Sequence, residues 1–247
     1  MNDDLRRWDE EAEHWAKDSE SKRLLARILI NYALTQFEAD FRNKKVLDAG
    51  CGEGTYTETI QNLGAEVIGL DGSPKMVEIA QNRRPKINFV VGDLLDRLDF
   101  PDKNFDTLTS LNVLMSLPSV DMFLSEASRL IKSDGSLIIC VFHPALNEPT
   151  TKLYNTWWRR VRRKPAVGIV YSYFLRTNNR RDDFGVRPWP FYHRTIEEYS
   201  AYFRKHGFVI ETIFEPHTIP AVVLQNHPKL KYATRIPRFI FFKLIQH

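Results

Sequence analysis

The chain has 247 residues, 43% of them apolar and 27% charged, with a formal net charge of +4. That length suits one large domain, or one domain carrying an insert, and can bury a sizeable core. The composition is that of a globular protein, and so modest a charge argues against a generic polyanion binder.

The start, MNDDLRRWDEEAEHW, is polar and acidic and lacks the apolar core of a signal peptide. No uninterrupted apolar run is long enough to span a bilayer. From 3 to 40 the pattern is helical, with Leu24, Leu25, Ile28, Leu29, Tyr32 and Ala33 at three- and four-residue intervals. KVLDAG (45–50) reads as a short apolar strand, and the turn after it holds three glycines in five residues. TYTETIQNLG (55–64) is a helix that Gly64 can close. AEVIGLDG (65–72) is a second strand, and SPKMVEIAQNRR (73–84) a helix with Ser73 as N-cap and Pro74 at its first position. INFVVGD (87–93) and FDTLTSLNVL (105–114) are strands, SVDMFLSEASRLI (119–131) a helix, and GSLIICVFH (135–143) a fifth strand. Such alternation predicts an α/β fold whose parallel sheet is covered on both faces.

Beyond Pro144 the alternation stops until 192, and prolines, paired tryptophans and arginines dominate. A structureless loop of that length is unusual inside a compact domain, so 144–192 is expected to be an inserted substrate cap with structure of its own. A helix (195–207), a strand (208–216) and a last strand near RFIFFKLI (238–245) follow. The expected organisation is N-terminal helices (1–40) covering the ligand site, a core of 41–143 and 193–247, and the cap. Cys51 and Cys140 read as small core residues rather than a disulfide pair, consistent with a cytoplasmic protein.

Ligands of parallel α/β sheets bind beyond the carboxyl ends of the strands. Asp48, Asp71 and Asp93 stand at or near three successive strand ends. Each alone could be a turn or capping residue; together they describe a site. Asp71 is placed to accept both hydroxyls of a ribose, and Asp93 with Leu94 can serve an adenine. A dinucleotide would set its pyrophosphate over the helix N-terminus, where Asp48 and Glu53 oppose an anion. The glycines at 50, 52 and 54 also depart from the dinucleotide fingerprint. S-adenosyl-L-methionine carries a ribose, an adenine, two cationic groups and no phosphate, and suits these charges.

VLDAGCGEGTYT, VIGLDGSPKMVEIA, VVGDLLD, LNVLMSL and RLIKSDGSLIICVFH resemble the successive motifs of class I, Rossmann-like S-adenosylmethionine-dependent methyltransferases. The resemblance is close over 45–143 and returns at 192–216. It implies a seven-stranded, mostly parallel sheet with the last strand antiparallel. It also implies cofactor contacts from Asp48, Ala49, Gly50, Gly52, Asp71, Gly72, Met76, Asp93, Leu94 and Asn112. The shared motifs do not cover the insert, so the acceptor stays open.

Methyl transfer from a sulfonium proceeds largely by positioning, and a base is needed only where the acceptor must lose a proton. His143, ending the fifth strand, and His193, before the helix at 195, are the candidate bases. Trp15, Tyr192 and Arg194 are candidate acceptor contacts. The other histidines lack metal-ligand spacing, so no metal is expected. Between 144 and 194 eleven basic residues face three acidic ones, with tryptophans and tyrosines interleaved. That fits a pocket for an anionic or aromatic molecule, an RNA-facing surface, or docking on an anionic membrane. The favoured reading is methyl transfer to oxygen or nitrogen of a small organic acceptor. The alternatives are a tRNA-modifying methyltransferase and a non-catalytic S-adenosylmethionine-binding protein. Nucleic acid is the less favoured partner, and the oligomeric state is open.

Overall fold

Lys45–Ala49, buried along nearly its whole length, forms β1 inside a seven-stranded sheet. It pairs in parallel with β2 (Glu66–Asp71) on one side and β4 (Phe105–Leu111) on the other. β3 (Asn88–Val91) lies outside β2, and β5 (Ile131–Phe142) outside β4. β9 (Phe239–Gln246) runs antiparallel to both β5 and the edge strand β8 (Phe208–Phe214). The order is β3-β2-β1-β4-β5-β9-β8. It reverses direction between β1 and β4, which opens a crevice at their carboxyl ends. The computed structural model describes residues 3–21, 24–146, 151–154, 167–170, 173–174, 190–217, 221–226 and 237–247.

Helices α1 (Asp3–Glu10), α2 (Ala12–Ser21) and α3 (Leu24–Gln36) precede the sheet; α4 (Thr55–Asn62), α5 (Pro74–Arg83) and α6 (Asp121–Leu130) connect its strands. α7 (Ile196–Lys205) and the short α8 (Ala221–Asn226) flank β8 in sequence. Local chemistry sets these boundaries. The Ser73 hydroxyl accepts the Met76 N–H at 3.1 Å at the start of α5. Gly64, at φ +95°, follows the end of α4. Thr195 and Glu198 cap α7 reciprocally, each side chain accepting the other's backbone N–H.

Phe105, Phe123, Tyr199, Phe203 and Phe242 fill the face under α6 and α7. Leu29, Ile30, Leu34, Phe89 and Phe241 fill the face under α3 and its neighbours. The fifth strand starts earlier than its sequence suggests. Ile131 is extended (φ −78°, ψ 136°) and pairs with Phe105, so α6 stops at Leu130 and the strand runs from there through Gly135. A Cβ at Gly135 would sit 2.5 Å from the Asp106 carbonyl oxygen, which is why the pairing tolerates only glycine there.

Within the expected cap, β6 (Thr151–Tyr154) and β7 (Val167–Val170) form an antiparallel two-stranded sheet. Trp157, Trp158, Trp189 and most of the arginines singled out there lie outside the described residues. Among the described residues no helix is long and apolar enough to cross a membrane.

Candidate active site

The three glycines of the first turn all have positive φ (+79°, +55° and +84° at 50, 52 and 54), each for its own reason. A Cβ on Gly50 would meet the Val113 side chain at 2.4 Å, and one on Gly54 the Phe89 ring at 2.8 Å. Packing excludes side chains at those two. A Cβ on Gly52 would meet nothing within 4 Å, so this glycine borders open space. That space is a cavity of about 330 Å³ at the carboxyl ends of the strands.

Gly50, Gly52, Asp71, Gly72, Met76, Asp93, Leu94 and Asn112 all line the cavity. The Asp71 carboxylate accepts the Gly52 N–H at 2.8 Å through one oxygen and the Ser73 N–H at 2.9 Å through the other. Burial raises its pKa, and these two N–H groups oppose the rise. The acid is thereby held in one orientation at the end of β2. Asp93 accepts the Leu95 N–H at 2.9 Å. Asn112 sits in the left-handed region (φ +63°), a conformation asparagine tolerates better than most residues. Its N–H is held by the Cys140 carbonyl at 2.8 Å.

Two expected contacts do not reach the cavity. Asp48 lies under the glycine turn, where its carboxylate accepts the Thr57 and Thr109 hydroxyls at 2.6 and 2.8 Å. It ties β1, β4 and α4 together, and burial pushes its pKa up to about 6. Ala49 is fully buried in the core. Glu53 does line the cavity, but its charge is answered inside the protein. Its carboxylate accepts the Thr55 hydroxyl and stands 3.7 and 3.6 Å from Arg83 and Arg84. It is therefore not the unbalanced charge that its position in the sequence suggests.

The opposite wall comes from the N-terminal helices. Asp4, Leu5 and Trp8 of α1, with Trp15 of α2, face the cavity. The two indoles meet edge to face at 4.8 Å. Leu5 sits over Gly72, where a Cβ would come within 2.6 Å of it. Asp9 accepts the Ser73 hydroxyl at 2.7 Å and the Lys75 N–H at 2.9 Å, pinning α1 to the start of α5.

The histidines lie elsewhere. Met115, Phe142 and Phe191 separate the large cavity from a void of about 10 Å³ lined by His143, Tyr192, His193 and Arg194. His143 Nδ1 accepts the Ala145 N–H at 3.3 Å, and Nε2 is 2.8 Å from Glu215. Burial lowers its pKa, with Glu215 opposing. With Nδ1 accepting, Nε2 is the nitrogen that donates to Glu215, so both ring nitrogens are engaged within the protein. His193 donates Nε2–H to the Tyr173 carbonyl at 2.8 Å. Arg194, buried, donates to the Leu114, Leu117 and Pro118 carbonyls at 2.9, 2.7 and 3.0 Å. The Tyr192 hydroxyl donates to Asp4 at 2.7 Å, and its N–H to the Met115 carbonyl at 2.7 Å. These four residues brace the cavity wall from behind, and of the expected acceptor contacts only Trp15 faces the cavity. Leu5, Trp8, Arg27, Phe191 and Arg238 line it without having been singled out from the sequence. The placement of Trp8 was within reach, because Asp4, Leu5 and Trp8 share one helical face.

Residues 47–139 match the family described as Methyltransferase domain. The chain is 22% identical to an S-adenosylmethionine-dependent methyltransferase from Mesorhizobium loti, whose crystal structure superposes with a TM-score of 0.68, covering 83% of this chain and 92% of that one. Residues 47–139 thus match a methyltransferase domain, and the seven-stranded sheet has the fold of that solved methyltransferase. It is 39% identical over 103 residues to a demethylmenaquinone methyltransferase of Tropheryma whipplei, covering 41% of this chain and 43% of the relative. It is 29% identical over 126 residues to a ubiquinone biosynthesis O-methyltransferase of Pelagibacter ubique, covering 48% and 50%. The chain thus spans about half the length of these curated relatives, or somewhat less.

Proposed function

We propose that the protein is an S-adenosylmethionine-dependent methyltransferase that methylates oxygen or nitrogen of a small organic acceptor. The observation that carries this reading is the convergence of Asp71, Asp93 and the open side of Gly52 on one cavity. The donor set fits the cofactor. The oriented Asp71 carboxylate would hold the ribose hydroxyls, Asp93 and Leu94 the adenine with Met76 beside it, and Gly50, Gly52 and Asn112 the aminoacyl end. Asp48 acts at one remove, by bracing the turn. When bound, the cofactor supplies an electrophilic methyl group on a sulfonium.

The chain's own contribution is positioning and dryness. The indoles of Trp8 and Trp15 and the rings of Phe142, Phe191 and Phe239 surround the remaining space with apolar surface. Such a wall excludes water and orients a flat acceptor, which is where catalysis of a displacement with a neutral leaving group resides. His143 and His193 serve this reading as supports of the wall rather than as bases. The relatives named for quinone methylation support an aromatic acceptor. The buried, unpaired Cys51 and Cys140 support a cytoplasmic setting.

Calorimetric titration tests the reading. S-adenosylhomocysteine is expected to bind saturably and NAD not to bind. Asp71→Ala is expected to weaken S-adenosylmethionine by about 1.5–3 kcal/mol, through loss of charge-assisted bonds. Absence of S-adenosylhomocysteine binding, or an affinity unchanged in the variant, would overturn it.

A further inference from the structure

We propose that the acceptor carries an anionic group, of the carboxylate or phosphate kind, and that Arg27 and Arg238 receive it. This rests on the methyltransferase reading and adds the class of acceptor.

The cavity is lined by acids and by arginines. Asp71 ends β2, Asp93 lies two residues beyond β3, and Glu53 follows β1. The two arginines that line the cavity are Arg27 and Arg238, the latter on the side of β5 and β9. Arg238 immediately precedes β9, and its carbonyl accepts the His143 N–H at 2.8 Å, which fixes its backbone across the end of β5. Its side chain is exposed at the mouth. Arg27 belongs to α3, whose Tyr32 packs against Phe214 of β8 at 6.4 Å and whose Asn31 accepts the Thr59 hydroxyl of α4 at 3.1 Å.

The floor on the side of β5 and β9 is apolar, with Phe142 and Phe239 stacked at 5.4 Å. A half-buried guanidinium beside such a surface loses hydration and gains most from a carboxylate or phosphate that it can bond at two points. Among the described residues no carboxylate pairs with Arg27. The acid on α1, Asp4, accepts the Tyr192 hydroxyl instead. Arg194, the arginine its sequence position would suggest for this task, spends its donors on three backbone carbonyls. A flat acceptor lying on the phenylalanines would point its reacting atom toward the glycine turn and its anionic group toward Arg27 and Arg238.

The test uses 2-naphthoate and 2-naphthyl phosphate against neutral 2-naphthamide, titrated into the protein saturated with S-adenosylhomocysteine. Quenching of Trp8 and Trp15 fluorescence reports binding. At least one anion is expected to bind about tenfold or more tighter than the amide, with the preference shrinking as salt rises. Which anion is preferred identifies the group. In the double variant R27Q/R238Q the preference is expected to fall to about twofold or less, while R27K/R238K keeps part of it. Equal or tighter amide binding, no binding of any of the three, or a preference that survives in the glutamine variant would overturn the proposal. Should the glutamine variant fail to fold, the wild-type comparison and the lysine variant decide. S-adenosylhomocysteine affinity, measured in parallel, is expected to be unchanged by the substitutions. Its absence in the wild type would count against the cofactor reading, and the naphthyl series can still be read without it.

Discussion

Asp48 and Asp71 are acids on neighbouring strands, and burial raises the pKa of both. They differ in what holds them: Asp71 accepts two backbone N–H groups and faces the cavity, whereas Asp48 accepts two hydroxyls and faces inward. With a folded-state pKa of about 6, Asp48 binds a proton more tightly folded than unfolded, where about 3.9 is expected. Stability from this group is therefore full below pH 4, falls as pH rises between about 4 and 6, and is flat above. Asp48→Asn should remove that slope. Urea titrations at pH 4 and pH 7 are expected to show the wild type losing on the order of 3 kcal/mol relative to the variant over this range. An identical pH dependence in both would show that Asp48 is already ionised at pH 4. The sequence places Asp48 among the cofactor contacts, whereas in the structure it faces inward. A strand-end acid can face either side of its strand, and only packing against Thr57 and Thr109 chooses.

At the scale of elements, the segment before α7 acts as a strap. Arg194 holds the turn Leu114–Ser116 and the two residues after it, and Met115, Ser116, Leu117 and Pro118 line the cavity. Tyr192 reaches from the same strap to Met115 and, through Asp4, to α1. Arg194→Met would leave three carbonyls without their charged donor. The expected loss is about 3 kcal/mol of stability by urea titration, with Arg194→Lys recovering only part because one ammonium cannot span three carbonyls. If Arg194→Met is as stable as the wild type, the strap contributes no stability. The helix boundaries were legible in advance wherever a local signal existed, as at Ser73-Pro74 and Gly64. The start of β5 was not, because Ile131 is extended through its pairing with Phe105, a partner distant in sequence.

For the whole molecule, the N-terminal helices and the sheet enclose the cavity together. α1 and α2 contribute Trp8 and Trp15, and Asp9 attaches them to α5. Deleting residues 1–20 removes most of both helices yet leaves the sheet and its two packed faces. The deletion is expected to preserve a cooperative melt and to impair turnover and S-adenosylhomocysteine binding, read by calorimetry and by methyl transfer. Normal turnover by the truncated protein would mean that these helices only cover the sheet. The sequence by itself determined the strand and helix alternation, the glycine turn and the acids at the ends of β2 and β3, because periodicity, turn chemistry and strand-end position are local properties. Tertiary structure alone decided that Asp48 bonds Thr57 and Thr109 beneath the turn, that Glu53 is answered by Arg83 and Arg84, and that His143, His193 and Arg194 line a separate small void. It also brought Arg27 and Arg238, from opposite ends of the chain, to the lining of one cavity. Side-chain direction, ion pairing and enclosure depend on which distant segments pack together, and no spacing along the chain encodes them directly.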